Sequence, residues 1–115
     1  MKERFKVEFL EEAEEFINNL EEKTREKVFY NIKKSQFVND SELFKKLNKH
    51  IWEFRTLYNS KAYRLFSFWD STIVKNILVV STHGILKKTQ KTPLKEIEKA
   101  EEIRKQYFVN KNKKL

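Results

Sequence analysis

The sequence predicts an α+β domain: a small antiparallel β-sheet with an N-terminal helical hairpin packed on it and a C-terminal helix, in the order β-α-α-β-β-β-α. Three observations carry this. The apolar period switches from two to helical spacing near residue 10. Aromatic and β-branched residues then crowd into residues 51–82. A Thr-Pro pair opens a last amphipathic stretch.

Phe5, Val7 and Phe9 alternate with Lys6 and Glu8, the pattern of a short strand. Ala13, Phe16, Ile17 and Leu20 then fall on one face of a helix within residues 11–22. A second helix is expected from Thr24, as N-cap, to about Phe37, with Val28, Phe29 and Ile32 facing inward. After the Asn39-Asp40-Ser41 break, Ser41 caps a helical turn carrying Leu43, Phe44 and Leu47.

Residues 51–58, 62–69 and 73–82 read as three strands. Asn59-Ser60 turns the first into the second, and a turn within residues 70–76 precedes the third. The apolar run Ile77–Val80 suits a strand covered on both faces, and Gly84 ends it. Thr92 as N-cap and Pro93 at the first helical position begin the last helix. Its stripe is Leu94, Ile97, Ala100, Ile103 and Tyr107, and residues 109–115 form a flexible basic tail.

At 115 residues the chain suits one domain, spanning residues 1–115. It has no cysteine and two histidines, which excludes a disulfide framework and a thiolate metal site, and no cofactor is expected. The acidic residues between Glu3 and Glu22 do not fit a signal peptide, and no stretch approaches the length of a membrane span, so a cytoplasmic location is expected. The net charge of +8 is uneven: residues 1–30 carry −3 and the remainder +11. A cationic body with an acidic N-terminal portion suits a polyanionic partner on one face.

One constellation can carry chemistry. If Tyr58 pairs with Lys61, Arg55 lies directly across from Arg64 on the same face, with Glu53 beside them. Like charges opposite each other on a sheet cost up to about 1 kcal/mol. Two arginines there make sense with an anion between them, because the guanidinium grips phosphate oxygens bidentately. The competing reading is neutralisation by Glu53 and another carboxylate. Lys87, Lys88 and Lys91 lie just before a helix N-terminus, which also favours phosphate. With Lys61 they form the candidate phosphate-binding set. His83 is the one nearby group that titrates near neutrality.

The segments Ile51-Trp52-Glu53-Phe54-Arg55, Tyr63-Arg64-Leu65-Phe66 and His83-Gly84-Ile85-Leu86-Lys87-Lys88-Thr89-Gln90-Lys91-Thr92-Pro93 resemble, in this order, the HigB-like, phage-derived branch of the RelE/ParE toxin superfamily. Glu96, Ile97 and Ala100 extend the match, which spans about Leu47 to Tyr107. Phe54 and Ile85 depart from the usual aliphatic and phenylalanine, and the stretch between Arg64 and His83 is longer than common. The lysine-rich segment is the specific part; the two strand motifs are individually weak.

The resemblance implies the toxin of a type II toxin–antitoxin system. A small helix-turn-helix antitoxin encoded alongside would hold it inactive. Freed, it would cleave mRNA, ordinarily on the translating ribosome, without a metal. Arg55 and Arg64 would then take the phosphate, and Lys87 and Lys88 would steer the backbone or stabilise charge. Glu53 and His83 are the two candidates for the proton handler. Two rivals remain: a gyrase-inhibiting toxin of the ParE kind, and a non-catalytic nucleic-acid or antitoxin-binding module.

Overall fold

The computed structural model describes residues 2–72, 77–88 and 91–113. Its elements are β1 (Lys6–Phe9), α1 (Glu11–Asn18), α2 (Glu22–Ser35), β2 (Phe44–Lys46), β3 (Trp52–Tyr58), β4 (Lys61–Asp70), β5 (Leu78–Lys87) and α3 (Leu94–Lys113). The α+β class and the order of the main elements are as expected. The strands form one sheet in the order β1-β5-β4-β3-β2. It is antiparallel except at one edge, where β1 pairs in parallel with β5.

Side chains alternate across the strands and build two cores. One face packs Phe54, Leu65 and Val79 against Ala13 and Ile17 of α1 and Val28 and Ile32 of α2. The other packs Ile51, Phe66, Phe68 and Val80 against Ala100 of α3. The helical hairpin and α3 therefore lie on opposite sides of the sheet.

The β3–β4 hairpin has the expected register, with Tyr58 opposite Lys61 and Arg55 opposite Arg64. Asn59 and Ser60 both take positive φ, 52° and 62°. Two such residues suit the right-handed twist of the flanking strands.

Several local expectations are corrected. Thr24 does not cap α2: the helix begins at Glu22 and Thr24 is buried within it. Acidic Glu22 suits the positive helix N-terminus. Residues 44–46 form a strand, not a helical turn. The Asp40 side chain accepts the Glu42 N–H at 2.9 Å. Phe44 then stacks on Phe54, with ring centroids 4.3 Å apart.

The third strand of the hairpin sheet begins later than expected and runs on to Lys87, so Gly84 lies inside it. A Cβ at Gly84 would collide with the Phe16 ring of α1, so glycine here permits close packing rather than ending the strand. Of the turn expected within residues 70–76, Asp70 accepts the Thr72 N–H at 2.9 Å, while Lys75-Asn76 lies outside the described residues, as do Thr89 and Gln90.

Helix α3 starts at Leu94, and the Pro93 carbonyl accepts the N–H of Glu96 at 3.0 Å. Thr92 is therefore not its cap. The helix also continues through residues 109–113, which are not a loose tail. Asp70, fully buried at the end of β4, accepts hydrogen bonds from Tyr107 Oη at 2.6 Å and Lys111 Nζ at 2.5 Å. This clamp, joined by the Thr72 N–H and hydroxyl, holds the Asp70 carboxyl well below the usual range despite burial.

Candidate functional site

Cross-strand pairing arranges the α3-side face into rows. Ile51 and Phe68 lie deep in the core beneath α3. The next row is Glu53, Phe66 and His83; the next is Arg55, Arg64 and Ile85; the last is Leu57, Ala62 and Lys87. The arginine row thus lies between the buried core and the tip of the hairpin.

Glu53 organises the arginines. It is 2% exposed, with Oε2 at 3.6 Å from Arg55 Nε and Oε1 at 3.5 Å from Arg64 Nε. Thr92 donates its hydroxyl to Glu53 Oε1 at 3.4 Å, which ties the approach to α3 to the same carboxylate. Arg55 anchors one amino group on the Ser41 carbonyl and Arg64 one on the Tyr63 carbonyl. The Nε atoms of both arginines are buried and make no hydrogen bond among the described residues. Burial pulls the Arg64 pKa down, Glu53 opposes it, and Arg55 adds to the lowering. Two guanidinium groups thus share one carboxylate, which leaves the pair with an excess of positive charge and donor capacity.

Lys87 stands one row away, half-buried. Burial lowers its pKa, and Arg64, Arg55 and Lys45 lower it further while Glu53 opposes. Lys45 is a site cation that the sequence did not disclose. It pairs with Glu53 across β2 and β3, and its position becomes readable only once residues 44–46 are a strand.

The other candidates separate. Lys88 is exposed just beyond β5, and Lys91 is exposed on the approach to α3. Lys61 falls on the opposite face, where it lines a hollow with Phe16, Asn59 and Tyr63, so the fold does not bring it to the arginines.

His83 is not at a strand end. A bulge at Phe66/Ser67 re-aims the register of β4 and β5. Ser81 and Thr82 donate hydroxyls to the Phe66 carbonyl there, at 3.2 and 3.3 Å. His83 is 3% exposed and stacked on Phe66, with Nδ1 at 2.9 Å from Thr82 Oγ1 and Nε2 at 3.1 Å from Glu96 Oε1. Burial and nearby Lys99 lower its pKa below that of an ordinary histidine and outweigh the attraction of Glu96. Glu53 and His83 both lie beneath the open surface, joined to it only through their partners.

Fold and site together define a small α+β protein with a cationic sheet face built around paired arginines. The chain belongs to the phage-derived Gp49-like family (DUF891), a RelE-toxin-like family, whose model matches residues 15–105. No curated protein matches it. No helix among the described residues is long and apolar enough to cross a membrane.

Proposed function

We propose that this chain is the toxin of a type II toxin–antitoxin system, and that it arrests translation by cleaving mRNA without a metal, on the ribosome. The observation that carries this reading is the Arg55–Arg64 pair, two guanidinium groups that share the single Glu53 carboxylate beside a lysine of lowered pKa. Its partner is an adjacently encoded helix-turn-helix antitoxin, in keeping with the Gp49-like family.

In this mechanism Arg55 and Arg64 grip the scissile phosphate and stabilise the charge that builds on it. The proton-handling role passes from Glu53 and His83 to half-buried Lys87, because the Glu53 carboxylate is engaged by both arginines and the His83 ring is packed on Phe66. The neutral Lys87 amine takes the proton of the 2′-hydroxyl, and the 2′-oxygen attacks phosphorus. The bond to the 5′-oxygen breaks, and that oxygen takes a proton from water. The products are a 2′,3′-cyclic phosphate and a 5′-hydroxyl. Glu53 holds the arginines parallel, while Lys88 and Lys91 attract the RNA backbone.

Lys87→Arg separates charge from proton transfer, because arginine keeps the cation but does not deprotonate. The wild-type cleavage rate should climb with pH as Lys87 loses its proton, and level off below the 10.5 of an ordinary lysine. Lys87→Arg should bind RNA with similar affinity, cut it at least about 100-fold more slowly and lose that pH dependence. Equal rates and pH profiles for the two proteins would exclude Lys87 as the base.

A further inference from the structure

The row beyond the arginines carries an apolar feature that phosphate binding does not use. Leu57 is 71% exposed, the largest exposure among the described large hydrophobic residues. It is two residues along β3 from Arg55 and on the same face, about 7 Å further along the strand. Its cross-strand neighbour is Ala62, and Lys87 completes the row. Alanine is a poor strand residue, and its small side chain leaves a shallow step beside the exposed leucine. Half-buried Ile85 continues the aliphatic surface on the other side of Arg64.

A single exposed leucine needs no explanation. This one differs in its setting, because the strip Leu57–Ala62 is bordered by Arg55, Arg64 and Lys87, all on one face. A flat apolar ligand attached to a phosphate fits that arrangement, and the charge complements the phosphate. We infer that Leu57 and Ala62 form a platform on which the nucleobase beside the arginine-bound phosphate packs. Leu57 would thereby determine how firmly single-stranded RNA is held in register. The inference rests on the RNA-binding reading of the arginine face and extends it from the phosphate to the base. Nucleobases pack on apolar as well as aromatic side chains, and each such contact contributes measurably to affinity.

The test measures binding of the purified chain to two fluorescent probes of equal length. One is an uncleavable 2′-O-methyl oligoribonucleotide, and the other an abasic sugar-phosphate oligomer. The wild type should bind the base-bearing probe about fivefold more tightly. Leu57→Ala should close most of that gap with unchanged affinity for the abasic probe and an unchanged thermal melt, and Leu57→Phe should widen it. Overturning results are a gap that survives Leu57→Ala, which would make the leucine a protein contact, or an equal loss on both probes. A wild type that shows the gap but leaves natural RNA intact supports the platform and contradicts the cleavage reading.

Discussion

Two arginines facing each other across a sheet repel, and Glu53 is the group that makes the pairing tolerable. Its carboxylate lies within 3.6 Å of both Nε atoms and is buried to 2%. Removing one member of a buried charged cluster leaves uncompensated charge in a low-dielectric site. Glu53→Gln is therefore expected to destabilise the fold by roughly 3 kcal/mol, read as a lower urea midpoint at unchanged slope. A loss below about 1 kcal/mol, the scale of an exposed pair, would show that the arginines are held by their carbonyl anchors instead. The Arg55–Arg64 opposition was legible in the sequence because strand register follows from the two-residue loop. The burial of Glu53 was not, because it depends on Thr92 and the path into α3, which no local pattern encodes.

At the level of elements, the hairpin turn is the most tightly specified piece and also a strained one. Asn tolerates the left-handed conformation, whereas Ser60 at φ 62° does so at a cost. Ser60→Gly should stabilise the protein by about 0.5–1 kcal/mol after glycine's extra chain entropy is subtracted. A denaturation curve checks it, and a destabilised variant would contradict the turn geometry. The long strands were readable from their aromatic and β-branched content. β2 was not: Phe44 and Leu47 also fit helical spacing, and only pairing with β3 makes residues 44–46 extended. Gly84 misled for a related reason, since its function is to admit Phe16 of α1, a contact distant in sequence. The end of α3 depends likewise on Asp70, a buried carboxylate that recruits Tyr107 and Lys111 from 37 and 41 residues away.

For the whole molecule, the uneven charge seen in the sequence has a structural counterpart. The acidic N-terminal portion builds β1, α1 and most of α2, and the two helices cover one face of the sheet. Arg55, Arg64 and Lys87 occupy the opposite face. A polyanion is thus favoured on one side only, which is the arrangement expected of a protein that takes one RNA strand across a shallow surface. The two cores also explain why the arginine row can be functional. α3 seals the lower half of its face through Ala100, Tyr107 and Phe108, and exposure rises toward the hairpin tip, from 7% at Arg64 to 71% at Leu57.

Genome-wide mapping of 5′-hydroxyl RNA ends after induction tests most directly whether this arginine face cleaves RNA. Wild-type protein should produce new ends within translated messages inside minutes. Arg64→Ala, expressed to the same level and confirmed folded by its thermal melt, should produce none above background. New ends at wild-type frequency in the variant, or intact messages under the wild-type protein, would contradict the account.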